Sequence, residues 1–191
     1  GDLRRSRLMT FFRLPLLAPH IVWTILWGAA VLLVAPPLWL CALAIGRAPR
    51  PLARFTAAFV RYQTHVNAFA YLVANPFPGF VGAAGTYPLD LVLPEPTRQN
   101  RWVTGFRIFL AVPAYLVNAA LGGTLLIAAI LTWFAALVTG SAPWGLRNLS
   151  AYALRYGAQL NAYLYLLTER YPHASPLEGA DEESSFEDLA A

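Results

Sequence analysis

The hydrophobic positions of this chain gather into two long uncharged runs. Leu14 to Gly46 is 33 residues without Asp, Glu, Lys or Arg, and Ile108 to Leu146 is 39. Crossing the hydrocarbon core takes roughly 20 apolar residues in a helix, so either run is long enough to cross with some tilt. Each run predicts a long helix, about His20 to Gly46 and Ala114 to Gly140, with Trp23 and Trp27 near one end of the first and Trp39 near the other, as interfacial aromatic belts require. Pro36 and Pro37 predict a kink in the first of them. Gly46-Arg47-Ala48-Pro49 and Gly140-Ser141-Ala142-Pro143 then spell a helix stop followed by a proline near the next start. A less apolar helix follows in each case, about Arg50 to Ala74 and Trp144 to Thr168. Ahead of each long helix lies an arginine-bearing lead-in, Arg4 to Ala18 and Arg101 to Val112, closed by Pro19 and Pro113.

The same pattern therefore occurs twice. Shifted by 94 positions, Arg7 to Phe80 overlies Arg101 to Ala174 without a gap, pairing Arg13 with Arg107, Trp39 with Trp133, Arg61 with Arg155 and Asn67 with Asn161. Two copies of one unit, packed about a pseudo-symmetry axis, are implied. We read the chain as an all-α integral membrane protein of two repeated helical-hairpin units, with four transmembrane helices, short juxtamembrane helices and a surface linker. Repeat one covers 1–80, a Pro/Gly-rich linker 81–100, repeat two 101–174 and an acidic, disordered tail 175–191. Within the linker, TYPLDLVLPEP alternates as a short strand would.

Whether the second helix of each unit crosses decides how the copies relate. If it crosses, the copies are parallel; if it lies in the interface, they are inverted. The parallel version puts both arginine-bearing lead-ins on one face, with Arg4, Arg5, Arg7, Arg13, Arg98, Arg101, Arg107 and Arg170, against Arg47, Arg50, Arg54 and Arg147 at the hairpin tips. By the positive-inside tendency the termini and linker then face the cytoplasm, in a multi-pass protein of a bacterial inner membrane.

Composition narrows the chemistry. Hydrophobic residues make up 58% of the chain and its mean hydropathy is +0.49, beyond an ordinary soluble domain. All 14 basic residues are Arg, and six of the ten acids lie in the last fourteen positions. The arginines flank apolar spans with no recognition motif, so the partners they imply are anionic headgroups and not nucleic acid. The single Cys41 and the scattered His20, His65 and His173 give no disulfide and no metal set. No nucleophilic triad and no phosphate-binding glycine loop can be assembled, so neither an enzyme nor a cofactor is expected.

The residues Arg13, Pro19, His20, Trp39, Gly46, Arg47, Pro49, Arg61, Asn67 and Tyr71 carry a resemblance, as do Arg107, Pro113, Trp133, Gly140, Pro143, Arg155, Asn161, Tyr163, Tyr171 and Pro172. The pattern resembles the bacterial membrane family known as domain of unknown function 4389, here as a tandem. Copy two departs from it at Ala114 and Ser141, where copy one has His20 and Arg47. The resemblance implies an architecture and no activity.

Two sets of candidate residues follow. Arg61 and His65 share one helix face, as do Arg155 and Gln159, and with Asn67 and Asn161 they form a polar seam for a lipid, an anion or a partner's carboxylate. Arg7, Arg13, His20, Arg101 and Arg107 are candidate headgroup anchors. The expected function is a non-catalytic accessory or scaffold subunit packing against a larger membrane complex, other membrane subunits and anionic lipids. The alternative is a small transporter or channel with the Arg/Asn seam between the repeats.

Overall fold

A computed structural model describes residues 5–91, 93 and 98–173; the acidic tail and part of the linker lie outside the described residues. Five helices are present: α1 (Arg7–Phe11), α2 (Arg13–Ile45), α3 (Arg50–Ala70), α4 (Arg101–Thr139) and α5 (Trp144–Leu164). No strand occurs among the described residues, and 86–91 of the anticipated strand is irregular. Pro88 lacks an amide hydrogen and the Asp90 side chain bonds the nearby amides of Gly85 and Leu91, so this stretch folds upon itself instead of pairing.

The long helices absorb most of the lead-ins. In copy one a break at Phe12 separates α1 from α2, whereas α4 runs unbroken from Arg101. Pro19, Pro36, Pro37 and Pro113 all lie inside helices. The Pro19 ring removes the amide that would reach Pro15, a loss that surrounding helices can make good in an apolar setting. Both long helices stop where glycine takes a left-handed conformation, with φ +72° at Gly46 and +75° at Gly140. The shorter helices stop earlier than the sequence suggests, because Leu72 (φ +59°) and Leu166 (φ +61°) turn the chain just beyond them.

The two copies are joined reciprocally. The amide of Arg5, in copy one, donates to the Gly140 carbonyl of copy two at 2.8 Å, and that of Gln99, ahead of copy two, donates to the Gly46 carbonyl of copy one at 2.8 Å. Trp133 Nε1 donates to the Thr10 carbonyl at 3.0 Å, so the start of α2 lies by the end of α4. At the opposite end Leu43 packs on Gly105. Hence α2 and α4 run antiparallel. So do α3 and α5: Ala53 and Val60 share a cluster with Ala162 and Leu166, while Ala68 and Val73 share one with Ala153 and Leu154.

The repeats are therefore inverted, which corrects the parallel arrangement expected from sequence. The molecule has an upper end, where α2 starts and α4 finishes, and a lower end, where α2 finishes and α4 starts. Each lead-in sits beside the other copy's hairpin tip, so lead-in and tip arginines do not separate onto two faces. The physical reason is capping: a left-handed glycine leaves its carbonyl free, and the residue before the N-cap of the other lead-in supplies the donor.

Burial is inside out with respect to polarity. The more polar α3 is largely buried, including Thr56, Thr64 and His65. The apolar helices are not: only 17% of the apolar stretch of α2 and 28% of that of α4 is buried, with Leu32 and Leu33 more than 70% exposed. The core helix of a soluble protein would have these proportions reversed. Two helices, α2 and α4, are long and apolar enough to cross a membrane. The more polar α3 and α5, of 21 residues each, do not share that property.

Candidate functional site

Helix ends leave carbonyls without partners, and two buried guanidiniums meet that need. Arg13 is 1% exposed; it donates to the Phe69 carbonyl, to the Ala74 carbonyl at 3.3 Å and to Asn75 Oδ1 at 3.4 Å. Arg107 is fully buried and repeats the pattern in copy two, from Nη1 to the Tyr163 carbonyl at 2.6 Å and the Thr168 carbonyl at 3.1 Å. Each guanidinium also lies over a ring, Arg13 over Phe69 at 4.3 Å and Arg107 over Tyr163 at 4.4 Å. These arginines close the ends of α3 and α5. They do not face outward as headgroup anchors would, because their donors are used on internal carbonyls. A signal was available in the sequence: both copies keep this arginine, with an aromatic residue 56 positions later.

His20, another candidate anchor, is also fully buried. Its Nδ1 lies 2.9 Å from the Tyr62 hydroxyl, and its ring stacks on Phe80 at 4.4 Å. Copy two has Ala114 at this place, also buried, so the contacts of this histidine belong to copy one alone. Arg7 and Arg101 are exposed. Arg7 reaches back to the Val138 carbonyl at 3.0 Å, and Arg101 lies against Gly46. Each thereby places positive charge at the carboxyl end of the other copy's long helix, where the helix dipole favours it.

The polar seam on α3 is tied to the linker. Arg61 Nε donates to the Leu91 carbonyl at 3.2 Å, and buried His65 places Nε2 3.4 Å from Asp90 Oδ1 while its ring stacks on Tyr87 at 4.8 Å. The amides of Gly85 and Leu91 donate to the Asp90 carboxylate and hold it beside His65. Tyr87 donates to the Pro76 carbonyl at 2.8 Å, and Trp23 of α2 donates to that of Phe80 at 2.9 Å. Gly82 (φ +60°) presses directly on α3: a Cβ there would fall 2.1 Å from the Ala58 carbonyl oxygen. The linker thus lies across the middle of α3 on its way from the upper end to the lower.

On α5, Gln159 Oε1 accepts from the His173 amide at 3.1 Å. Arg155 and Asn161 are half-buried and Asn67 is exposed. The structure therefore brings Arg61 and His65 together under the linker and places Gln159 under the segment after α5, instead of joining the six residues across the repeat interface. That interface is filled by Ala, Val and Leu.

Sequence reasoning left Arg5 and Gln99, which occupy equivalent positions, without a site. Buried Arg5 donates to the Leu72 and Val73 carbonyls at 3.4 and 3.5 Å, and buried Gln99 to the Leu166 carbonyl at 2.6 Å. Their partners lie at the left-handed turns, whose carbonyls no periodicity rule anticipates.

Among the described residues no three His, Cys, Asp or Glu side chains come together as metal ligands. No curated protein matches the chain, and no solved structure does. A family profile described as "Domain of unknown function (DUF4389)" matches twice, at residues 7–81 and 101–175. Those matches coincide with the two inverted units, and the chain belongs to this family as a tandem of two copies.

Proposed function

We propose that this protein is a non-catalytic integral membrane subunit, an accessory or scaffold element that presents α2 and α4 to lipid and the linker-covered side of α3 to another membrane protein. The observation that carries this reading is the mismatch between the two sides. The exposed parts of α2 and α4 are apolar, including Ile25, Leu26, Leu32, Leu33, Ile127 and Leu131. Across the middle of α3, however, runs an irregular linker whose Ala83, Ala84, Gly85, Thr86 and Asp90 are exposed. Irregular backbone at membrane depth is tolerated only where protein or water covers it. With α2 and α4 crossing a bilayer, a partner subunit on the linker supplies that cover. A bacterial inner membrane rich in anionic lipid is the setting this reading gives the chain.

The transporter reading draws less support, since Arg61 and His65 face the linker and the contact between repeats is apolar. The test is photo-crosslinking in native membranes from a probe placed at Ala84 or, as a control, at Leu33. The proposal expects a protein adduct of defined mass from Ala84 and only lipid adducts from Leu33. Adducts only with lipid, or only with a second copy of this chain, from Ala84 would overturn it.

A further inference from the structure

We infer that the lower end of the molecule is a binding surface for the headgroups of anionic phospholipids, and that the upper end is not. This inference rests on the membrane placement proposed above, not on the partner subunit.

The inverted packing gathers arginines from three separate stretches of sequence. Gly46 lies against Arg98 and Arg101, Gln99 is bonded to Leu166, and the Asn100 amide donates to Glu169 Oε1. Arg47 and Arg50 follow Gly46 directly, and Arg54 is one turn further along α3. Arg47, Arg50, Arg54, Arg98, Arg101 and Arg170 are all exposed here, and the acid facing them among the described residues is Glu169.

The upper end is built by the same repeat and, among the described residues, does not carry this charge. The positions equivalent to Arg47, Arg50, Arg54 and Arg170 are Ser141, Trp144, Asn148 and Pro76. Of the described arginines there, Arg5 and Arg13 are buried on carbonyls and Arg147 is half-buried with Nε on the Val73 carbonyl at 3.2 Å, which leaves Arg7 exposed. A fold with twofold pseudo-symmetry has no intrinsic direction across a membrane. These substitutions give it one, with the lower end toward the anionic, cytoplasmic leaflet.

A cavity of about 440 Å³ opens beside this surface, between the first half of α3 and the linker. Arg54 and Arg61 supply its polar wall, and Ala57, Ala58, Val81 and Leu167 the apolar one. A guanidinium pair above an aliphatic floor matches a phosphodiester joined to acyl chains. At the equivalent place on α5, Asn148 replaces Arg54 and the bulkier Tyr152 replaces Ala58.

The test is tryptophan quenching of the full chain in lipid nanodiscs, titrated with brominated phosphatidylglycerol against brominated phosphatidylcholine; Trp102, 78% exposed beside Arg101, is the sole reporter in a background whose other five tryptophans are Phe. Each basic residue near an anionic surface contributes about fivefold to its affinity, so three contribute about a hundredfold. The unaltered chain should prefer phosphatidylglycerol, and the preference should fall with added salt. An Arg47→Gln/Arg50→Gln/Arg54→Gln variant should lose most of it, the corresponding triple Lys variant should keep it, and Arg7→Gln should change it about fivefold or less. Equal preference in the unaltered chain and the triple Gln variant, or displacement by excess inorganic phosphate, would overturn the inference. Quenching by both lipids with no preference would overturn it while leaving the membrane placement standing; quenching by neither would overturn both.

Discussion

Replacing Arg107 by Met tests whether the buried guanidiniums hold the ends of the short helices. The substitution removes two charge-assisted hydrogen bonds, at 2.6 and 3.1 Å, and the contact over Tyr163 at 4.4 Å. Hydrogen bonds to a charged group contribute about 1.5–3 kcal/mol each, and a desolvated cation–π contact adds about 0.5–2 kcal/mol. Two effects oppose the loss. Nε and Nη2 of Arg107 have no partner among the described residues, so part of the cost of burying the charge disappears with it, and the Tyr163 carbonyl still accepts from the Leu166 amide at 3.2 Å. The balance is a loss of about 2–4 kcal/mol, which in a domain of this size lowers Tm by about 5–15 °C. Thermal unfolding in detergent micelles, followed by tryptophan fluorescence, measures it. Arg13→Met should fall by a similar amount, because Phe69 and Ala74 receive the same bonds in copy one. Lys at 107 should restore little, since one ammonium cannot reproduce the planar fork that reaches two carbonyls. Shifts below about 2 °C in both Met variants, or full restoration by Lys, would refute the capping argument.

Gly82→Ala should lift the linker from α3, because the new Cβ would meet the Ala58 carbonyl oxygen at 2.1 Å in a backbone conformation that only glycine adopts readily. Amide hydrogen exchange over 83–86, measured on the detergent-solubilised chain, should then become several-fold faster; an unchanged rate would show that the contact is dispensable. Asp90→Asn should loosen the same stretch, because the amides of Gly85 and Leu91 then lose the carboxylate that accepts from them; exchange as slow as in the unaltered chain would contradict this.

The repeat, the two long apolar helices and the tight turns at Gly46 and Gly140 were legible because each leaves a local mark: uncharged length, an exact register, and a glycine followed by proline. How the copies meet was not legible. It depends on single backbone bonds from Arg5 to Gly140 and from Gln99 to Gly46, and backbone donors have no side-chain signature. Equal lead-ins on equal units suggested one arginine-bearing face. Inversion instead placed each lead-in against the other unit's tip. The same blindness affected Arg13 and Arg107, for an arginine before an apolar helix reads identically whether it reaches a headgroup or folds back onto a carbonyl. Arg61 and His65 were correctly seen as one face of α3, but what covers that face is a linker 25–30 residues away in sequence. The cluster at the lower end comes from three stretches of chain, and only their meeting in space makes it a surface.

The measurement that bears most directly on the account is the sidedness of two equivalent positions in sealed vesicles. Arg50 and Trp144 begin α3 and α5 and are both exposed. In a Cys41→Ala background, Arg50→Cys and Trp144→Cys are each treated with a membrane-impermeant maleimide before and after the vesicles are opened. Inverted repeats with α2 and α4 crossing the bilayer predict labelling from opposite sides. Labelling of both from the same side would contradict the account.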